Sequence, residues 1–470
     1  MRHSLLVSLC AVGCLGEAGL DVPRPKPSRP QVPGPTLISV DPETAPSTGG
    51  ETLTIRGDGF SPRIQVAIAG VPVDSVGWLS PGEVRVRSPT RLGVLGRVPV
   101  QLTNPDGGST VRDDVLSYFA GVVQFLSHRD YPFGVAPTGM TLLDVNADGK
   151  LDLLAAFEAR GVRSAGSAVS VLLGRGDGTF AHSADYPAGS GLYGLAVGDV
   201  SGDGQIDIAM ANSRSNTISL YLGRGDGTFG GRLELPTGAY PTSVIMADLD
   251  GDRRQDLVTA NAEGVSLSIL LSRQGGHFEG RTLRLSAAPW ALAAGDVNGD
   301  GHNDLVVSAF RHNEVSVLLG NGDGSFVDLR AEYPTGASPH AIALGDLNGD
   351  GKLDLAVANR ASNTATILLG KGDGTFAFRG EPYVGNAPFG MLLGDINGDR
   401  RLDLVAPCYD LQAVSVLIGQ GDGRFSQASF QRSGGYTSAA ALGDVNGDGL
   451  ADVVVGNSNA TYSVILNASL

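Results

Sequence analysis

The chain has 470 residues, of which 68 are glycine and only 6% aromatic, a composition that suits many short strands joined by turns and a length sufficient for two or three domains. Its formal charge of −15 argues against a nucleic-acid partner, since phosphate recognition needs clustered Lys and Arg. Of its three cysteines two precede residue 15, so Cys408 is left alone in the body of the chain and any staple must be something other than a disulfide within it.

Residues 1–18 read as an export signal. Arg2 and His3 precede an apolar run from Leu5 to Leu15 that is too short to span a bilayer. Ala11-Val12-Gly13-Cys14 resembles a bacterial lipobox, which implies a lipidated Cys14 and an outer-membrane or cell-surface lipoprotein. Gly16-Glu17-Ala18 offers a small-x-small site for simple secretion instead. Residues 19–35 hold Pro23, Pro25, Pro27, Pro30, Pro33 and Pro35, an extended, semi-rigid tether. The lipid is the only membrane contact expected.

Residues 36–119 carry short alternating apolar runs, among them Thr52-Leu53-Thr54-Ile55, Gln65-Val66-Ala67-Ile68 and Val84-Arg85-Val86. Gly, Pro and Asn turns separate them, which predicts a β-sandwich of about seven strands. Ser39-Val40-Asp41-Pro42, Ser47-Thr48-Gly49-Gly50 and Ile55-Arg56-Gly57-Asp58-Gly59-Phe60, with the closing Val100-Gln101-Leu102-Thr103-Asn104-Pro105-Asp106-Gly107-Gly108, resemble an immunoglobulin-like TIG (IPT) domain. The resemblance implies a spacer or adhesive module without chemistry of its own.

The remaining residues, 120–470, are organised around Asp346-Leu347-Asn348-Gly349-Asp350-Gly351-Lys352-Leu353-Asp354. Oxygen-bearing side chains stand at its first, third, fifth and ninth positions, with glycine at the sixth, where the backbone turns sharply. The first three converge on a hard cation, the Lys352 carbonyl can add a ligand, and Asp354 can close the shell; without an ion, Asp346, Asp350 and Asp354 repel one another. Such loops begin at Asp144, Asp199, Asp248, Asp296, Asp346, Asp395 and Asp444, 48 to 50 residues apart after the first interval, the mark of a repeat architecture. Seven divalent ions would nearly offset the charge of −15.

Around each loop the grammar is constant. In the fifth repeat His340–Leu344 enters the loop, Leu355–Asn359 leaves it, Ala365–Leu369 follows a polar bend, and Thr375–Phe378 follows a Gly-rich turn. Four short strands repeated radially are the blades of a β-propeller. The seventh repeat stops at Ser463-Val464-Ile465-Leu466 without a fourth strand, whereas Val122-Val123-Gln124-Phe125, before Tyr131-Pro132, matches the outer strand of the others. Residues 120–128 are therefore expected to close blade seven. An EF-hand is excluded, because it needs a twelfth-position carboxylate and that position holds Ala155, Met210, Thr259, Val307, Val357, Ala406 and Val455.

The array resembles the FG-GAP/VCBS repeats of integrin-α-type seven-bladed propellers, in which the cation sits in the hairpin between a blade's first two strands. That resemblance implies up to seven Ca2+ ions. Beside Asp346, Asn348, Asp350 and Asp354, the implied ligands are Asp144, Asn146, Asp148 and Asp152, then Asp199, Ser201, Asp203 and Asp207. Asp248, Asp250, Asp252 and Asp256 follow in the third blade, and Asp296, Asn298, Asp300 and Asp304 in the fourth. The last two sets are Asp395, Asn397, Asp399 and Asp403, and Asp444, Asn446, Asp448 and Asp452. Arg253 and Arg400 replace the sixth-position glycine, which is expected to weaken those two sites. Loops that spend their ligands on the ion have a structural role.

Six residues before each loop's first Asp, the chain enters its innermost strand at Thr138, Tyr193, Thr242, Trp290, His340, Phe389 and Ser438. This position varies while its surroundings repeat. It is expected to ring the channel mouth opposite the calcium face, with Tyr193, Trp290, His340 and Phe389 as ligand-binding residues; the competing reading packs these rings between blades. The bends between second and third strands, with Arg160, Arg163, Ser213, Arg214, Arg311, His312, Arg360 and Tyr409, vary on the same face. Arg-Gly-Asp at 56–58, 175–177 and 224–226 reads as a by-product of glycine turns. His-Glu-x-x-His and Gly-x-Ser-x-Gly are absent, so no catalytic residue is assigned. The expected protein is an all-β, exported, calcium-stabilised adhesion or ligand-binding monomer that recognises a protein or glycan. The alternative is a lyase-like polysaccharide-processing enzyme, or its carbohydrate-binding part.

Overall fold

The computed structural model describes residues 34–158 and 166–469. The export signal, most of the tether, Arg160 and Arg163 lie outside the described residues. Within them the one helical piece is a 3-10 turn, Tyr409–Leu411, and no helix is long and apolar enough to cross a membrane.

Eleven short strands between Thr36 and Phe119 form three small sheets, more pieces than the seven expected. Tight turns cut the hairpins short: Ala69 and Gly70, both at positive φ, separate Gln65–Ile68 from the two-residue arm Val71–Pro72. Alternation turns Leu53, Ile55, Val84, Val100 and Leu102 inward around Tyr118, and each fully buried aliphatic side chain contributes roughly 1.5–3 kcal/mol.

Beyond this sandwich, seven four-stranded antiparallel sheets follow one another, numbered here as blades one to seven in chain order. Blade five consists of Pro339–Gly345, Asp354–Asn359, Thr364–Gly370 and Phe376–Gly380, each within two residues of the expected run. The second strand of every blade is buried along its whole length, because sheet neighbours flank both its edges and adjacent blades cover both its faces. Its side chains therefore point alternately to two different inter-blade cores. Val258 and Ala260 of blade three, for example, pack with Leu305, Val307 and Leu318 of blade four.

Closure of the ring differs from the expectation. In blade seven the outer strand is Arg129–Pro132, paired with Thr461–Ile465, and not a strand within 120–128. That earlier stretch contributes one bridge, Phe125 to Asn467, and hydrogen bonds of 2.8 Å from Leu126 N–H to the Leu466 carbonyl and 2.7 Å from Ala468 N–H to the Gln124 carbonyl. Tyr131, opposite Tyr462, sets the register by stacking on it at 5.1 Å. Val123 and Phe125 are instead drawn against the core between blades six and seven.

The sandwich meets the propeller at the sixth acidic hairpin. Ala120 N–H donates to the Asn397 carbonyl at 2.6 Å, and Arg400 reaches Ser117 Oγ at 3.3 Å and the Glu43 carboxylate at 3.9 Å.

Candidate functional site

Each acidic hairpin is folded by its own carboxylates. In blade five Asp346 Oδ1 accepts the Gly349 N–H at 2.7 Å and Oδ2 the Gly351 N–H at 2.8 Å, Asn348 Oδ1 accepts the Asp350 N–H at 2.9 Å, and Asp350 Oδ1 the Lys352 N–H at 3.0 Å. This winds the loop around a cluster of oxygens. Gly351 sits at φ +78°, open to glycine and strained for other residues. Arg253 and Arg400 adopt the same conformation at +69° and +66°, and their N–H groups donate to Asp248 and Asp395 at 2.9 and 2.7 Å. The third and sixth hairpins thus keep the turn, at a backbone cost of roughly 1–2 kcal/mol each.

The ninth-position aspartate has a second task that its spacing did not reveal. Asp354 is fully buried; its Oδ2 accepts the Leu347 N–H at 2.8 Å and its Oδ1 the Gly370 N–H at 2.7 Å, so it ties the hairpin to the end of the third strand. Asp152, Asp207, Asp256, Asp304, Asp403 and Asp452 make the same two bonds in their blades. Burial, aided by the neighbouring loop carboxylates, pushes all seven carboxyls up, Asp256 and Asp452 to about 6 and Asp403 to about 7. A cation would relieve that charge penalty. The third hairpin brings oxygens of Asp248, Asp250 and Asp256 within 4.8 Å of one another, and one Asp250 carboxylate oxygen is buried without a hydrogen-bond partner. An all-oxygen, acceptor-only set of this kind fits calcium.

Thr138, Tyr193, Thr242, Trp290, His340, Phe389 and Ser438 all line one cavity of about 390 Å³. Its wall is lopsided. A continuous arc of rings joins Tyr193 to Trp290 at 5.5 Å, Trp290 to His340 at 5.6 Å, His340 to Phe389 at 4.9 Å and Phe389 to Tyr409 at 5.3 Å between centroids. Thr242, small and hydrogen-bonded to the Trp290 carbonyl at 2.7 Å, lets Tyr193 and Trp290 touch across blade three. Ser438 and Thr138 leave the opposite arc small and polar. The two sequence readings therefore merge, since the rings pack across blade boundaries and line the cavity as well.

Charge enters at two places. The Arg360 guanidinium lies 4.5 Å above the Phe389 ring. Glu158, whose side chain is 9% exposed, also lines the cavity and pairs with Arg214 at 3.0 Å. Glu158 and Phe310, which packs on Trp290 at 4.9 Å, share with Ser213, Arg360 and Tyr409 the position just past the second strand, a match visible only when each repeat is counted from its own loop aspartate.

His340 Nδ1 lies 2.8 Å from the Phe389 carbonyl, which can only accept, so Nδ1 carries the proton and Nε2 the lone pair. Burial pushes the imidazole down to about 4 from 6.5. The unfolded ring therefore takes a proton first: the His340 contribution to stability is intact above pH 6.5 and is lost as pH falls towards 4, by a total on the order of 3 kcal/mol. Urea unfolding of the parent and a His340→Gln variant at pH 7 and pH 5 should show the gap between them shrinking at pH 5. A constant gap would mean that the ring titrates normally.

Arg56-Gly57-Asp58 ends the strand Thr52–Asp58, where a Cβ on Gly57 would come 1.9 Å from the Thr36 carbonyl; the other two Arg-Gly-Asp tripeptides are held in turns, with Asp177 and Asp226 engaged by Thr179 and Thr228.

Fold and hairpins together define a β-propeller of repeated acidic-loop blades preceded by an immunoglobulin-like sandwich. The chain belongs to the FG-GAP-like repeat family, which it matches at residues 144–210, 199–259, 248–307, 296–357, 346–406 and 395–455; residues 35–118 match the IPT/TIG domain. No curated protein matches the chain. Among solved structures it is similar to BBS1N, crystallised in complex with ARL6DN, at 14% identity and a TM-score of 0.53, covering 73% of this chain and 96% of that one. It is also similar to a Lactobacillus plantarum protein at 13% identity and a TM-score of 0.51, covering 73% and 97%. Both likenesses concern the fold alone.

Proposed function

We propose that the chain is an exported binding protein whose propeller, stapled by calcium in its acidic hairpins, takes up a protein or glycan ligand at the channel cavity. The convergence of all seven variable strand-entry positions on one cavity carries this reading. An arc of Tyr, Trp, His and Phe offers flat apolar faces, and Thr138, Thr242, Ser438 and the Nε2 of His340 offer hydrogen bonds, the mixture that orients a ligand in a small pocket. The TIG sandwich and the tether act as spacers, with the lipid anchor or simple secretion setting the place of action. This reading assigns no catalytic residue. A second reading, polysaccharide processing, draws on the presence of Glu158, Tyr193 and His340 in the same cavity.

A glycan array in the presence of calcium separates these readings. Binding without turnover supports a lectin, product formation supports the enzyme, and a silent array directs the search to protein partners. With a ligand in hand, Trp290→Ala and Phe389→Ala are expected to weaken binding about 10-fold or more each, from the usual weight of a buried aromatic anchor. Unchanged affinity in both would remove the cavity as the site.

A further inference from the structure

Blades one, four and six lack a residue that the other four share; Phe157 and Cys408 replace it in one and six, and in blade four its loss leaves a hole. In blades two, three, five and seven the second strand ends in a fully buried asparagine: Asn212, Asn261, Asn359 and Asn457. Its amide donates to third-strand hydroxyls, as Asn261 does to Ser268 at 3.0 Å and Asn359 to Thr366 at 2.8 Å. In blades two, three and five the connector above carries a glycine because nothing larger fits: a Cβ on Gly189, Gly238 or Gly336 would lie 2.6 to 2.8 Å from that asparagine. Blade four changes both members of the pair. Ala309 stands where the asparagine belongs and Ser286 where the glycine belongs.

The vacated space is a cavity of about 340 Å³ lined by Leu285, Pro289, Val307, Leu318, Ser316 and Glu332, with Ala309 and Ser286 at its wall. The polar groups that surround the amide nitrogen in blade five are still present. There Asn359 Nδ2 donates to Thr364 at 3.2 Å, Thr366 at 2.8 Å and Glu381 at 3.3 Å. Counted from the loop aspartates, Glu314 and Ser316 of blade four stand where Thr364 and Thr366 do, and Glu332, paired with Ser316 across the strands, takes the place of Glu381. Threonine has become glutamate, so acceptors remain and a second carboxylate has been added where the donor was deleted. Ser316 and Glu332 face one another across the third and fourth strands, and Glu314 and Glu332 are close enough to repel.

We infer that this blade-four cavity binds a small primary alkylammonium ion, its nitrogen taking the place of the missing amide among Glu314, Ser316 and Glu332 and its tail lying against Leu285, Pro289, Val307 and Leu318. Two carboxylates and a hydroxyl satisfy three N–H donors, and the apolar wall gives the tail a dry surface. The site is separate from the channel cavity and independent of the ligand proposed there.

The test uses the full calcium-loaded chain and n-butylammonium as the probe, with n-butanol as the neutral comparison, by ligand-observed NMR and titration calorimetry. Saturable binding of the ammonium, at least 10-fold tighter than the alcohol and at least 10-fold weaker in Glu332→Gln, is expected. The Ser286→Gly/Ala309→Asn double variant rebuilds the sibling arrangement; it should melt no lower than the parent and lose the ammonium. Absence of saturable binding, equal binding of ammonium and alcohol, or undiminished binding by the folded double variant would each overturn the assignment.

Discussion

Chelating divalent cations is expected to lower the melting temperature of the propeller by roughly 10–20 °C, with full recovery on adding calcium. The reason lies in the ninth-position aspartates. Each is fully buried and hydrogen-bonded both to its hairpin and to the end of the third strand, so it cannot move to water when the ion leaves, and it stays beside at least two further carboxylates of its loop. A site held at about 100 times its Kd contributes roughly 2.7 kcal/mol to the folded state. Three or four filled sites would then supply about 10 kcal/mol, and in a domain of this size each kcal/mol shifts the melt by roughly 1–2 °C. Because burial has raised these carboxyls, with Asp403 at about 7, calcium must displace protons from them, and the calcium-dependent part of the melt should shrink as pH falls from 7 towards 5. Scanning calorimetry with EGTA, calcium and magnesium at both pH values measures this directly. A melt indifferent to chelation would refute structural calcium, and with it the account of the acidic composition.

Tyr131→Pro is the single substitution expected to do most damage. It removes a backbone donor from the closing strand, a stacked ring pair with Tyr462 at 5.1 Å and the apolar burial of that ring. Together these losses are worth about 4–6 kcal/mol. The freed edge of Thr461–Ile465 would also be open to other chains, so concentration-dependent association should accompany the fall in stability. Val122→Ala is the control, since Val122 is 51% exposed and lies outside the paired strand; it should change stability by less than about 0.5 kcal/mol. Denaturant midpoints and light scattering read both effects. Equal stability of the two variants would mean that the ring is not closed through Tyr131.

Most of the architecture could be read from the sequence because the repeats compare themselves. Seven acidic loops at even spacing located every first and second strand, and the one variable position in an otherwise constant strand located the channel cavity. What could not be read depends on contacts between distant segments. Val122-Val123-Gln124-Phe125 alternates as a strand does, yet the stack between Tyr131 and Tyr462 fixes the register a few residues later. The clamping bonds of Asp354 and its counterparts run to glycines or their equivalents at the far end of the third strand, beyond the reach of a nine-residue motif. The blade-four cavity required three-dimensional superposition of one repeat on another: neither an alanine at 309 nor a serine at 286 is conspicuous alone. Arg400 looked like a defect in a metal loop until its reach to Ser117 and Glu43 gave it a partner in the sandwich.

The seam of the ring also sets an order of events as the chain emerges. Asp130 and its partner Ser463 are 333 residues apart, and at about 5–20 residues per second the earlier strand waits on the order of half a minute for its mate. Six blades can assemble in that interval while the wheel stays open, so Thr461–Ile465 is the strand that locks Arg129–Pro132 in place.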